Sequence, residues 1–219
     1  MELLIVAATE GELLPLASPA GQNGSNSTIH TEKLITGVGA AAVAYALTKH
    51  LQANTYNLIL QVGVAGSFTE KLQLGDLVFI ANEQYGDLGA QDHDNYLSLF
   101  ELGLIQADAF PYSGGRLVNP VPHPLIRLPH VAGLTVNTVS GNGPSIQMRK
   151  EKFGADTESM EGAAFHEVCL REHVPFAQVR AISNYVIPRD KSQWKMKDAI
   201  VNLNNWLQNF IELCGQQPI

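Results

Sequence analysis

Apolar runs bounded by Gly, Asn or Asp recur at residues 3–8, 58–62, 77–81, 133–138 and 176–183, each of a length suited to a buried strand. Between several of them the apolar positions change to helical spacing, at 40–51, 160–172 and 197–213. The third is the clearest: Ile200, Leu203, Trp206, Leu207, Phe210 and Ile211 fall on one helical stripe. Strands that are apolar at consecutive positions leave no face for solvent. Their alternation with helices predicts an α/β fold with a mainly parallel sheet covered on both faces.

The run Gly21-Gln22-Asn23-Gly24-Ser25-Asn26-Ser27 reads as a polar turn between elements, and residues 111–129 are rich in Pro and Gly without periodicity. That second stretch suits either a functional lid or an ordinary surface excursion. No internal repeat or low-complexity tract interrupts the pattern. At 219 residues and 45% hydrophobic content, the chain suffices for one sizeable core, and a single domain over 1–219 is expected.

Charge narrows the partners. With Lys+Arg 14 against Asp+Glu 21 and a net charge of -7, no basic field exists to attract a phosphate backbone or an anionic membrane. The apolar start, Met1 to Ala8, is short, lacks a basic lead and runs into Thr9-Glu10-Gly11-Glu12, unlike a signal peptide. No apolar stretch approaches the roughly 20 residues of a membrane span. A soluble, cytoplasmic protein is the expectation. Cys169 and Cys214 are too few for a disulfide framework or a metal cluster and are expected to be reduced and structural.

Gly37-Val38-Gly39-Ala40-Ala41-Ala42 follows an apolar strand and opens a helix, imitating a dinucleotide-binding turn. The next strand, however, ends in Gln61-Val62-Gly63 where such a site wants an acidic residue, which favours glycines that only let helix and sheet pack closely. Gly63-Val64-Ala65-Gly66-Ser67 ends a buried strand, where ligands of parallel sheets gather and small residues admit backbone contacts; it reads equally as a bare turn. Glu158-Ser159-Met160-Glu161 sets carboxylates at a strand-to-helix junction, suited either to two sugar hydroxyls or to the positive end of the helix. Ser183-Asn184 closes the strand beginning at Phe176, and Asn184 offers a heterocycle both a donor and an acceptor, or else forms an Asx turn. Asp92-His93-Asp94 lacks ligand spacing for a metal and reads as a solvated loop. A GxSxG elbow and a phosphate-binding Walker loop are both absent.

Taken in order, Ala8-Thr9-Glu10-Gly11-Glu12, Thr36-Gly37-Val38-Gly39, Gly63-Val64-Ala65-Gly66, Leu74-Gly75-Asp76-Leu77-Val78, Ser159-Met160-Glu161-Gly162-Ala163 and Arg180-Ala181-Ile182-Ser183-Asn184 resemble the landmarks of the nucleoside phosphorylase family. The resemblance spans nearly the whole chain. It implies a three-layer sandwich with a central mixed, mainly parallel sheet flanked by helices, and a small-molecule purine nucleoside as substrate. It implies no cofactor or metal, and a homo-oligomer of two or more copies.

Members that use phosphate hold it with arginines, whereas the corresponding places here read Gln61 and the run from Thr9 to Glu12. A phosphate would meet carboxylate, so the resemblance points to the branch that uses water, such as the methylthioadenosine/S-adenosylhomocysteine nucleosidases, with Glu12 as base. It further implies that Glu161 grips the ribose hydroxyls, Met160 packs beneath the ribose, and Val64 and Gly66 approach the substrate. Backbone near Val139 and Ser140 would read the purine edge. Asn184 stands where adenine-directed nucleosidases carry Asp, and its NH2 suits N7 and a 6-oxo group, which shifts the expected base to hypoxanthine. Ser183-Asn184-Tyr185-Val186, Pro188-Arg189-Asp190 and Trp194 together look like the futalosine-cleaving members, whose substrate carries an aryl carboxylate; Arg189 and Trp194 would suit that appendage. The alternatives are an adenosine-type nucleosidase or phosphorylase, a dinucleotide-binding oxidoreductase, and a silent binding module.

Overall fold

The computed structural model describes residues 1–13, 29–93, 95–119 and 123–216. The polar run 21–27 lies outside them. The strands in chain order are β1 (Glu2–Ala7), β2 (His30–Ile35), β3 (Leu58–Ser67), β4 (Leu77–Tyr85), β5 (Gly89–Asp92), β6 (Asn95–Ser98), β7 (Leu117–Val118), β8 (His130–Thr135), β9 (Thr157–Ser159) and β10 (Phe176–Tyr185). Among the described residues, four α-helices accompany them: α1 (Ala40–Leu51), α2 (Gly143–Phe153), α3 (Gly162–Arg171) and α4 (Met196–Gln216).

Alternation along β1 explains why its sequence is apolar throughout. Leu3, Ile5 and Ala7 pack into the cluster that holds Leu203, Leu207 and Phe210 of α4, while Leu4 and Val6 join Val43 and Leu47 of α1 and Phe165 and Val168 of α3. Successive side chains of one strand thus feed two cores, with helices on both faces of an α/β sheet. Parallel pairs dominate (β1 with β2 and β3, β3 with β10, β4 with β8, β8 with β9), and β10 with β4, β3 with β9 and β4 with β7 are antiparallel. Because β9 links β8 to β3 and β10 links β3 to β4, these five strands close on themselves beside the open flank of β1 and β2.

Several boundaries differ from the sequence expectation. Gly63–Ser67 belongs to β3 itself and Asn184 to β10, so both motifs are strand, not turn. The strand expected at 133–138 runs from His130 to Thr135. Asp92 and His93 sit at the turn of the β5–β6 hairpin, His93 with φ 51 and fully open to solvent; Asp94 lies outside the described residues. Within 111–129, Leu117 is wholly buried and β7 pairs with β4, which anchors that part to the sheet and removes the lid reading there; residues 120–122 are not described. Cys169 and Cys214 are buried and unpaired, and burial pushes the Cys214 thiol up to about 11. Among the described residues, no helix is long and apolar enough to cross a membrane.

Candidate active site

Parallel pairing of β1, β3 and β10 brings their carboxyl ends together, where open α/β sheets collect ligands. The chain leaves β1 through Ala8 and Thr9 into one 3-10 turn, Glu10–Glu12, which folds Glu12 back over the strand end. Glu12 Oε2 accepts from the Ala8 and Thr9 amides, each at 3.1 Å, and Oε1 accepts from the Val64 amide of β3 at 3.2 Å. Asn204 of α4 donates to the Glu12 carbonyl at 2.9 Å. The carboxylate is therefore held by backbone amides after β1 and on β3, and the turn that carries it is tied from behind to α4.

Glu161 immediately precedes α3. Its Oε1 accepts from the Gly39 amide at 3.1 Å, and its Oε2 stands 3.4 Å from Arg180 Nη1. Gly39 has φ 96, a conformation that side chains rarely tolerate, and it opens α1. The Gly37-Val38-Gly39 motif thus delivers an amide to Glu161. That amide is already engaged by a carboxylate instead of standing open to a pyrophosphate.

Arg180, which the sequence shows only as the first residue of the strand motif ending at Asn184, proves to be central to the site. It is 1% exposed; besides Glu161, its Nη2 donates to Gln61 Oε1 at 3.2 Å and its Nε to Gln178 Oε1 at 2.9 Å. A guanidinium therefore lies next to Gln61 after all, behind the cavity wall and paired. The available signal was a pair of long polar residues, Gln178 and Arg180, two apart on one face of an apolar strand; a buried arginine demands a carboxylate.

Arg180 pairs in register with Gly63. A Cβ on Gly63 would collide with Arg180 Nη1 and stand 2.8 Å from Glu12 Oε1. Both collisions are with side-chain ends, so Gly63→Ala is expected to fold while displacing both charged groups. The kcat/KM of the reaction at this site should fall about 10- to 100-fold, by the cost of small misplacements in a reacting constellation. Steady-state rates beside circular dichroism check this, and an unchanged kcat/KM would show that Gly63 is not what seats the two groups.

Beyond Ile182 the register of β10 shifts, setting Asn184 opposite Gly66. The Asn184 Oδ1 accepts from the Ser183 hydroxyl at 2.9 Å and Nδ2 donates to the Tyr185 carbonyl at 3.0 Å. One donor hydrogen and one acceptor lone pair remain for a ligand.

These groups surround a cavity of about 490 Å³. Glu12, Val64, Gly66 and Val139 line it together with Met160, Glu161, Ser183, Asn184 and Trp194. An adjoining recess of about 60 Å³ shares Gly66, Val139, Asn184 and Trp194 and adds Ser140 and Arg189, so all the sequence-predicted site residues converge on one place. Ser140 differs from the rest in how it is used. Its amide and hydroxyl both donate to Glu158, at 2.8 and 2.6 Å, and Glu158 in turn pairs with Arg149 at 2.9 Å. Its donors are spent within the protein, whereas the neighbouring Val139 lines both the cavity and the recess. The Arg189 guanidinium lies 5.4 Å over the Trp194 ring, a cation–π stack.

A sequence model described as the phosphorylase superfamily matches residues 2–214. The futalosine hydrolase of Streptomyces coelicolor is 32% identical over 185 residues, covering 78% of this chain and 74% of the relative. That of Acidothermus cellulolyticus is 31% identical over 214 residues, covering 92% and 87%. Among solved structures, a futalosine hydrolase mutant of Helicobacter pylori superposes with TM-score 0.77 at 18% identity, covering 97% of this chain and 99% of that one. The 5'-methylthioadenosine/S-adenosylhomocysteine nucleosidase of Neisseria meningitidis gives 0.78 at 15%, with 97% and 99% covered. At such identities the superpositions speak for the fold alone. Sequence and fold agree that the chain belongs to the phosphorylase superfamily, in the branch that contains the futalosine hydrolases.

Proposed function

We propose that this chain, acting as a single domain over 1–219, hydrolyses the N-glycosidic bond of futalosine to hypoxanthine and dehypoxanthine futalosine, a step of menaquinone biosynthesis. The observation that carries the reading is the Glu12 carboxylate, held by three backbone amides at the cavity wall where phosphate-using relatives need cations. Futalosine hydrolases at 31–33% identity support the choice of substrate. Glu12 takes a proton from the attacking water as the bond from the sugar carbon to the purine nitrogen breaks. Glu161 accepts from the 2'- and 3'-hydroxyls, and its charge stabilises the cationic sugar, beneath which Met160 packs. Asn184 donates toward N7 and the 6-oxo group as negative charge develops on the departing base. Val139 borders the purine edge, and the Arg189–Trp194 pair receives the aryl carboxylate. The enzyme works in the cytoplasm as a homo-oligomer; Val38, 55% exposed on the cavity wall, supplies apolar surface for a neighbouring copy.

The test is incubation with a panel of purine nucleosides, with and without phosphate, and identification of the released base. Free ribosyl product and a rate indifferent to phosphate are expected; a ribosyl phosphate would overturn the reading. With adenine, the Asn184 NH2 meets the exocyclic amine and a buried donor goes unmatched. That mismatch costs about 1 to 3 kcal/mol, or roughly five- to 150-fold in favour of futalosine over its 6-amino analogue. Asn184→Asp should move the ratio toward the 6-amino compound. A wild type that prefers the amine, or a ratio unmoved by the substitution, removes Asn184 from base selection.

A further inference from the structure

Behind the cavity, five buried polar side chains form one chain of hydrogen bonds whose direction is fixed by its arginine. Arginine only donates. Gln178 Oε1 must therefore accept from Arg180 Nε, at 2.9 Å, which turns the Gln178 NH2 toward Glu83 Oε1 and His166 Nε2, each at 3.0 Å. His166 Nε2 is then an acceptor, and its proton sits on Nδ1, directed at the Leu117 carbonyl 3.1 Å away. That neutral tautomer agrees with burial, which lowers the His166 pKa to about 3. On the other side, Glu83 Oε2 accepts from the Thr135 hydroxyl at 3.0 Å, and the Thr135 oxygen accepts from the Ala163 amide in the first turn of α3 at 2.7 Å.

The space for this carboxylate is as specific as its bonds. Glu83, Gln178 and Thr135 are each at most 1% exposed. A Cβ on Gly162 would collide with Glu83 Oε1 and stand 2.6 Å from Gln178 Oε1, and one on Gly133 would stand 2.5 Å from Glu83 Oε1. Burial pushes the Glu83 carboxyl up to about 7, and the Gln178 hydrogen bond, the Arg180 charge and the Thr135 hydrogen bond oppose the rise. An apolar residue at 83 would fill a β-strand with less desolvation cost, and nothing in the cleavage chemistry above touches Glu83. What the carboxylate does is orient the Gln178 amide: with His166 Nε2 it is one of two acceptors, and the charged one, that hold the NH2 on that side and so keep the amide oxygen toward Arg180.

We propose that Glu83 and Gln178 are positioning residues for glycosidic cleavage, because they fix the Arg180 guanidinium against Glu161 through this directional chain. The proposal rests on Glu161 acting at the ribose, as in the proposed function. Sugar-bound Glu161 must present its oxygens in one orientation while its charge faces a cation that neither line the cavity nor move. Arg180 is held against Glu161 by Gln178 at its Nε and by Gln61 at its Nη2, and of these two Gln178 is the one tied to Glu83.

A double-mutant cycle of Glu83→Met with Arg180→Lys tests it, run on the alkaline side of neutrality with whichever purine nucleoside the wild type cleaves. Failure of the futalosine assignment then leaves this test intact. Glu83→Met alone is expected to lower kcat about tenfold with KM nearly unchanged, whereas in the Arg180→Lys background, which lacks the Nε donor, it should cost less than about twofold. Equal costs in both backgrounds would overturn the proposal, since Glu83 would then act independently of Arg180. Where Glu83→Met fails to fold, Gln178→Met, which cuts the link and keeps both ends, takes its place in the same cycle with the same criterion. As a readout free of turnover, the Arg180 Nε–H resonance in ¹⁵N spectra should exchange slowly with solvent in the wild type and quickly in Glu83→Met and in Gln178→Met. An Arg180 resonance unaltered by both substitutions also overturns the proposal.

Discussion

Glu12→Gln is expected to lower kcat on the order of 10³-fold, the loss that follows removal of a positioned general base. Glu12 is 8% exposed, and both of its oxygens accept from backbone: Oε2 from Ala8 and Thr9, Oε1 from Val64. A glutamine can satisfy one of these sides, and whichever side receives its NH2 then faces a backbone N–H with no acceptor between. The substitution therefore carries a structural cost of about 1 to 3 kcal/mol besides the chemical one. Thermal denaturation measures the first, and single-turnover cleavage on the folded enzyme measures the second. The Asn204 hydrogen bond goes to the Glu12 carbonyl and survives the change, so the turn itself should hold. A near-wild-type single-turnover rate would eliminate Glu12 as the base.

For Glu161→Gln the expected loss in kcat/KM is on the order of 10²- to 10³-fold, the range seen when an electrostatic stabiliser of a charged transition state is removed. The glutamine oxygen still accepts from the Gly39 amide, so the α1–α3 junction keeps its tie. What disappears is negative charge, both toward the sugar and toward Arg180, whose guanidinium is left buried beside a neutral amide. Ribose and 2'-deoxyribose substrates discriminate this role from a merely structural one. Wild type should favour the ribo compound strongly, and the variant should lose most of that preference. Equal handling of both sugars by the wild type would count against Glu161 as the hydroxyl acceptor.

Much of this was legible along the chain, and the exceptions have physical causes. The helix expected at 40–51 is α1 at both ends, because its stripe and its flanking glycine agree. β3 and β10 run beyond the expected ends because Gly63, Gly66, Ser183 and Asn184 look like turn residues. They are small or polar because the cavity demands it, and strand pairing overrides their propensity. α2 escaped notice since only Ile146, Arg149 and Phe153 are buried on it. Its signals lie at its ends, where the Asn142 side chain accepts from the Ser145 amide and Gly154 adopts φ 57. The exposed edge strand β2 and the short hairpin β5–β6 carry too few apolar residues to show a period. The cavity residues were found through the family pattern and would have stayed ambiguous singly. Arg180 remained hidden because its importance lies in who pairs with it, which only tertiary contacts reveal.

The hydrogen bond from Asn204 to the Glu12 carbonyl joins residues 192 apart in sequence. Chain synthesis proceeds from the amino end, so the segment bearing Glu12 leaves the ribosome long before α4 exists to clasp it. The nascent chain can form its first strand early and still lack the tie at the Glu12 carbonyl that secures this turn until α4 docks. Competence for turnover should accordingly arrive late in a ribosome-release series, in one step with α4 docking, and an amino-terminal fragment ending before Met196 should regain cleavage only when a peptide of α4 is supplied in trans.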